Sequence, residues 1–353
     1  MGLTKIHQAL IAKVKAVGNS KIPIPLDDGT FTYLLSVIVH DLELVCRFPE
    51  LAEAPKPFFG TTHLETLRIE GLNFLDLFER LVRLKEDSDS YFSCLATLHR
   101  ARLKYEKILK AQPLPTIDQV GPRGLLQFGS LSAGALASFL FWRKWIFDID
   151  NRAAQETGYL FEPIIANSIG GVPASAAKSP VRRKGTGSGR QVDCLREVDK
   201  RAYEIKLRVT DASSGEGRWQ EQLDFPEDCL ASGYKPVLIV LDPTCSKKLR
   251  ELKPKFIEAG GECHVGKAAW NHLEESAGET MAAFLRRYVH EPIEALLNES
   301  PQQLPDIRFA ITDDLLIVDV AGERRRIERA PQPELASCPD EVPEDVSGDA
   351  NSV

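Results

Sequence analysis

The sequence predicts an α/β protein, with a mixed central sheet flanked by helices and a mostly helical N-terminal region in front of it. Three observations carry that reading. Through the first 143 residues, Leu and Phe recur at three- and four-residue spacing, as in "HLETLRIEGLNFLDLFERLVRLKED" and "YFSCLATLHRARLKYEKILKA". Beyond Trp145, short strand-like runs alternate with helical ones. One of them, "KPVLIVLDP" (Lys235 to Pro243), is continuously apolar, as a strand covered on both faces must be.

Residues 1–143 form the helical region, interrupted by "QPLPTIDQVGPRG", whose Pro and Gly content reads as a loop. "LSAGALASFLFW" (Leu131 to Trp142) reads as a buried helix. Arg143 and Lys144 stop it well short of the roughly 20 apolar residues needed to cross a bilayer. Residues 144–300 form the second block. "NRAAQETGYLFEPIIANSIGG" reads as one helix ending at Gly170-Gly171, followed by the basic, Gly/Ser-rich connector "VPASAAKSPVRRKGTGSGR". Two apolar runs with charged residues between them follow in "GRQVDCLREVDKRAYEIKLRVT". "GEGRWQEQLDFPEDCLASG" reads as a loop and a helix stopped by Gly. "CSKKLRELKPKFIEAGG" and "AGETMAAFLRRYVHEPIEALL" are further helices. In residues 301–330, "IRFAIT" and "LLIVDV" flank Asp313-Asp314 as a small hairpin. Residues 331–353 are acidic and Pro-rich, with too little apolar surface to order themselves.

The net charge of −7 disfavours nucleic acid only until it is located. Glu334, Asp340, Glu341, Glu344, Asp345 and Asp349 lie in the tail, which has no Lys or Arg, so the body is nearly neutral. Within that body, the stretch from Lys178 to Arg208 is strongly basic, which is what phosphate binding needs. Seven scattered cysteines without a CxxC pair indicate free thiols in a reducing compartment. No secretory signal opens the chain, and a cytoplasmic location is expected. Cys263, His264 and His272 match no zinc spacing, and the His residues form no Ser/His/Asp arrangement.

The stretch from Gly189 to Thr210 holds the chemistry. Side chains alternate along a strand, so Tyr203, Ile205, Leu207 and Val209 should face the core while Glu204, Lys206 and Arg208 share the other face. If the preceding strand folds back with an odd sum of paired residue numbers, Asp193 joins Glu204 on that face. Like charges across strands repel, and a divalent cation resolves the conflict. Mg²⁺ suits carboxylate, water and phosphate oxygens. Such an ion beside Lys206 is a device for attacking a phosphodiester. Arg182, Arg183, Lys184, Arg190 and Arg208 would grip the nucleic acid backbone. In "SSGEGRW", Arg218 is a further DNA contact and Trp219 a core residue, while Gln220 and Glu221 would reach the metal site from the next helix. "KGTGSGR" lacks the GK[ST]-to-helix context of a phosphate-cradling P-loop and reads as a flexible basic loop.

Val192-Asp193 followed by Glu204-Ile205-Lys206, in this order of elements, resembles the PD-(D/E)xK nuclease superfamily over roughly Asn151 to Asp242. Val192 stands where that family carries its Pro. The resemblance implies a restriction-endonuclease-like core, with Asp193 and Glu204 as metal ligands and Lys206 as the catalytic lysine. It also implies a metal-facing carbonyl at Ile205 and a helix-borne carboxylate, Glu162 in "LFEPII" before Glu156. Among its branches the chain is most similar to type II restriction endonucleases, and within them to the ApaLI-like group. That implies Mg²⁺-dependent, sequence-specific cleavage of palindromic double-stranded DNA by a homodimer, with a cognate DNA methyltransferase as genetic partner and no membrane. A repair or structure-specific nuclease of the same superfamily, and a catalytically inert DNA-binding module, are the alternatives.

Overall fold

In the computed structural model, residues 3–16, 22–60, 62–129, 131–157, 161–207, 209, 216–300, 303–312 and 314–329 are described. The chain divides into two compact units, one of residues 1–106 and 151–304, the other of 107–150 and 305–353. This cuts the chain differently from the sequence blocks, because the N-terminal helices share a unit with the central sheet.

That first unit begins with α1 (Lys5–Lys15), α2 (Asp28–Asp41) and α3 (Phe74–Leu84), and includes most of α4 (Ser88–Ala111). The helix expected from His63 starts only at Phe74. Gly71 takes φ +82°, and the Asn73 side chain accepts the amides of Leu75 and Asp76, so the cap fixes the start. The residues before it hold 3₁₀ and irregular backbone. α2 is apolar almost all round and buried along most of its length.

The second unit takes α5 (Ile117–Val120), the 3₁₀ segment Gly121–Gln127 and most of α6 (Ala133–Thr157). The expected loop before α6 contains a capped helical turn, because Thr116 and Gln119 form a reciprocal capping box. The one helix expected over 151–171 is in fact the end of α6 and a separate α7 (Phe161–Ser168).

The central sheet has the order β1 (Val172–Ala174), β2 (Val192–Arg196), β3 (Arg201–Lys206), β4 (Lys235–Val240), β5 (Glu262–Val265). β1–β2 and β2–β3 are antiparallel, whereas β3–β4 and β4–β5 are parallel. The connections dictate this: a four-residue turn joins β2 to β3, while α8 (Glu216–Ala231) and α9 (Lys247–Glu258) supply the long crossovers that parallel neighbours require. α10 (Lys267–Ser276), α11 (Gly278–Leu285), a π-helical segment at Arg286–His290 and α12 (Glu291–Leu297) follow.

Two apolar layers sandwich this sheet. On one side α7 and α10 meet the sheet, and Tyr203, Ile205, Val237 and Ile239 join an apolar cluster that extends to Phe31, Phe74, Phe78 and Phe92 of the N-terminal helices. On the other, Ala202, Leu238 and Val240 pack with Phe225 of α8 and Leu252 and Phe256 of α9. β4 feeds both layers alternately, which explains its continuous apolar run. Leu207, expected in the core, is exposed, because β3 ends at Lys206 and the alternation stops there. Val209 packs against the α8/α9 layer instead of the Tyr203 side.

In the second unit the expected hairpin gains a third strand: β6 (Ile307–Ile311), β7 (Leu315–Val320) and β8 (Glu323–Glu328) form an antiparallel sheet. β8, "ERRRIE", carries a single apolar residue, Ile327, which pairs with Leu316. Both contact Leu109, Trp145 and Ile149, and Trp142 stacks on Phe309 at 4.7 Å between centroids. α6 is therefore covered along one stripe by the small sheet and along another by Val120, which meets Leu136 and Leu140. Phe139, Ile146 and Phe147 stay exposed, because its apolar residues encircle the helix and the small sheet covers one stripe.

A Cβ on Gly261, in the turn between α9 and β5, would fall onto the Pro236 carbonyl oxygen, which is backbone and cannot swing aside. Gly261→Ala is expected to destabilise the protein by about 1–3 kcal/mol, read as a lower urea midpoint at unchanged slope.

Candidate active site

The ladder of β2 and β3 pairs Cys194 with Tyr203 and Leu195 with Ala202, and its continuation sets Asp193 opposite Glu204. This is the odd-sum register, and it brings both carboxylates to one face. The turn that sets it holds Lys200 at φ +53°, a left-handed conformation. Along β4, the parallel partners of Glu204 and Lys206 are Leu238 and Val240, both fully buried. Two charged side chains thus stand against the apolar layer of α8 and α9.

Their environment shows in their protonation. Lys206 Nζ lies 2.5 Å from Glu204 Oε1. Asp193 is nearly buried, and its Oδ2 accepts the Ile205 N–H at 2.9 Å. Burial pushes the Asp193 carboxyl up to about 8, and the charge of Glu204 adds to the rise. Glu162 on α7 is raised first by burial, with Glu204 adding and Lys206 opposing. Burial alone would lower the Lys206 ammonium, but Glu204 and Asp193 outweigh it and hold the pKa above its ordinary value. Three carboxylates therefore share one ammonium in a poorly solvated corner. Carboxylate oxygens are the donors a hard divalent cation takes, and one would supply the missing positive charge; among the described residues the group of three whose ligand atoms lie within 4.8 Å of one another is Glu262, His264 and His272. Asp193, Glu204, Lys206 and Glu162 all feel one another's charge. Glu156 lies near the end of α6, and its side chain is outside the described residues.

The basic connector is positioned by α8. Arg182 is exposed, and its N–H bonds to Ser232 Oγ at 2.9 Å. Arg183 pairs with Glu221 at 3.1 Å and Lys184 with Glu227 at 3.4 Å. Arg190 turns the other way. It is buried, forms an ion pair with the equally buried Asp228, donates to the Glu221 carbonyl and lies over the Phe225 ring. It pins the connector to α8 instead of facing solvent, which corrects its expected place among the DNA-facing arginines. Asp228 was not singled out from the sequence. Its signal was an acid between Phe225 and Cys229 on the buried stripe of a helix. Gln220 bonds Asp224 and Glu221 holds Arg183, so their recorded partners are not the site carboxylates. Trp219 is partly buried against the α8/α9 layer, with Lys248 over its ring. Arg208 and the Arg218 side chain lie outside the described residues.

A second titratable cluster sits on the Tyr203 side of the sheet. Glu262 of β5, His264 and His272 bring potential ligand atoms within 4.8 Å of one another. Glu262 also takes Lys235 at 2.7 Å and Arg201 at 3.2 Å, and the two imidazoles stack at 4.1 Å. Ring nitrogens direct their lone pairs in the ring plane, so stacked imidazoles do not converge on one ion. Cys263, next to His264, is not part of the cluster. Burial, then the neighbouring His264, lowers His272 to about 4.

The family model of ApaLI-like restriction endonucleases matches residues 63–290. The chain is 44% identical over 288 residues to the type II restriction enzyme ApaLI of Acetobacter pasteurianus, covering 77% of each chain. No solved structure matches. Among the described residues no helix is long and apolar enough to cross a membrane.

Two outcomes follow from these surroundings. Asp228→Ala strands the Arg190 guanidinium in the interior and should cost about 3–5 kcal/mol in urea unfolding. His272, with its native pKa lowered, binds fewer protons than the unfolded chain between about 4 and 6.5. Its contribution is therefore present above pH 6.5 and fades as pH falls towards 4. Wild type should lose about 2 kcal/mol through this group between pH 7 and pH 5, and urea midpoints of His272→Phe should show a correspondingly shallower pH slope.

Proposed function

The chain belongs to the ApaLI-like restriction endonuclease family, and from that premise we propose that it is a type II restriction endonuclease. It would hydrolyse phosphodiester bonds of double-stranded DNA at a specific sequence. The observation that carries this reading is the register setting Asp193 opposite Glu204, with Lys206 Nζ 2.5 Å from Glu204.

Asp193, Glu204 and Glu162, with the Ile205 carbonyl, would hold Mg²⁺. When bound, the ion supplies positive charge that polarises the scissile phosphate and acidifies water. The chain's own groups do the rest. The Ile205 N–H fixes the Asp193 carboxylate, so that it meets its partners without a search over rotamers. Glu204 orients Lys206 and favours its protonated form. Lys206 then donates to a phosphate oxygen as negative charge builds in the transition state. Water adds to phosphorus as the bond to one sugar oxygen breaks, leaving a phosphate monoester and a hydroxyl. Arg182, Arg183 and Lys184 hold the DNA backbone, with Arg208 and Arg218 as further phosphate contacts. Two copies would act on the two strands of one duplex, and a methyltransferase reading the same sequence would protect host DNA.

Asp193→Ala, Glu204→Ala and Lys206→Ala are each expected to lower plasmid cleavage in Mg²⁺ by at least about 10³-fold with far-UV circular dichroism unchanged. Wild type should produce discrete fragments and stop cutting in EDTA. Cleavage at the wild-type rate by Asp193→Ala removes the assignment. A smear, or cutting confined to junctions, makes the enzyme a structure-specific nuclease instead.

A further inference from the structure

We infer that the tip of the hairpin between β1 and β2, Gly185 to Ser188, reads base edges in a groove of the DNA that the catalytic carboxylates cut. On the proposed nuclease reading, these are residues that choose the sequence. β1 and β2 are antiparallel neighbours, which a turn of about two residues can join. Residues 175–191 lie between them instead. Long connections carried by a rigid scaffold are where binding residues concentrate.

The base of this connection is built into the protein. Val181 is buried in the layer of α8 and α9, and a Cβ on Gly189 would fall onto the Ala176 carbonyl oxygen. The Asp228 carboxylate takes the Lys184 N–H at 2.8 Å as well as the Arg190 guanidinium, and Ser232 Oγ takes the Arg182 N–H. Above that clamp the chain folds back as a two-stranded ribbon. Arg182 and Gly189 form a β-bridge, the Arg183 N–H bonds to the Ser188 carbonyl at 2.8 Å, and the Gly187 N–H bonds to the Arg183 carbonyl at 2.7 Å. Gly185 to Ser188 are exposed. A Cβ on Gly185 or Gly187 would meet nothing within 4 Å, so the tip stands clear of its surroundings. It is also ordered from within, because the Thr186 and Ser188 hydroxyls lie 2.7 Å apart.

The charges along the ribbon divide its work. Its flank carries Arg182, Arg183 and Lys184, while Gly185 to Ser188 carry no charge and offer hydroxyls and peptide groups. A ribbon entering a DNA groove meets phosphates along its flank and bases at its tip. Phosphates position and bases specify. The major groove, about 12 Å wide, admits a two-stranded ribbon, and Ser and Thr hydroxyls can pair with either donors or acceptors on base edges. The ribbon is also tied to the catalytic strand. Arg190 stands three residues before Asp193, at most about 11 Å of extended chain. Cys229, next to Asp228, lies within range of the charges of both Arg190 and Glu204. Clamp and carboxylates thus share one segment of chain and one side of the sheet, which holds the bases read at a set offset from the bond cut.

Thr186→Ala and Ser188→Ala, singly and together, test the assignment. Ser188→Ala keeps the backbone bonds of the hairpin, including its N–H to Thr186 Oγ1. The wild-type site is first taken from the fragment ends of a phage DNA digest. kcat/KM is then measured on a duplex carrying that site and on duplexes with one base pair altered. The double variant should narrow the preference for the site at least about tenfold at one or more base pairs, with far-UV circular dichroism unchanged. Its binding to the site duplex in EDTA, followed by fluorescence anisotropy, should keep the wild-type salt dependence. Lys184→Ala should do the reverse, keeping the preference and lowering the salt slope by about one. An unchanged preference in the double variant overturns the proposal. So does a lowered salt slope with the preference intact, which makes the tip a phosphate contact. Lost preference in Lys184→Ala alone moves the reading to that side chain and overturns it too. Discrete wild-type fragments beside any of these results leave the nuclease reading standing, whereas a wild-type smear removes both.

Discussion

The pairing between β2 and β3 is the constraint on which the rest of the candidate active centre depends. A slip by one residue would turn Asp193 to the Tyr203 side of the sheet, away from Glu204 and Lys206. Packing on both faces resists that slip. Cys194 and Tyr203 are committed to the apolar cluster on the side of α7 and α10, while Leu195 and Ala202 belong to the layer of α8 and α9. The turn adds a local lock, since Asp199 takes both Arg196 and Arg201 at its two ends. The carboxylates contribute no attraction of their own. Each disfavours the charge of the other, which shows in the raised Asp193 carboxyl, and apolar packing together with Lys206 holds them side by side.

This arrangement explains why the N-terminal helices share a compact unit with the sheet. A β-sheet with charged side chains on one part of one face needs a continuous apolar cover on the other. α7 and α10 lie on it, and the aromatic residues of α2, α3 and α4 extend the same apolar cluster. The active centre sits at the border between that well-packed sheet and the basic connector, whose position is fixed from inside by Arg190 and Asp228.

The alternation in "RAYEIKLRV" made Glu204 and Lys206 readable as neighbours, and the run "KPVLIVLDP" made β4 readable as a central strand. Both depend on short-range period, which sequence carries directly. Other features depend on partners distant in the chain. Nothing local tells Arg190 from Arg182, because what separates them is Asp228, 38 residues away on another element. β8 has one apolar residue and was invisible without Leu316 opposite it. The strand expected to run to Val209 ends at Lys206, which leaves Leu207 exposed where the alternation places it in the core. Leu131 to Trp142 reads as a buried helix because its composition is apolar, while the extent of its cover is a tertiary matter and leaves Phe139 exposed.

Ile205 divides its labour between side chain and backbone. Its side chain is buried among Tyr203 and Ile239, and its amide hydrogen goes to Asp193. The Asp193 carboxylate is thus oriented by an atom that every amino acid except proline possesses. Hydrophobic repacking at this position would pass unnoticed by the hydrolytic chemistry, while proline, which lacks that hydrogen, would silence the enzyme without touching a charged group. Core and active centre can accordingly drift independently at the very residue where they meet.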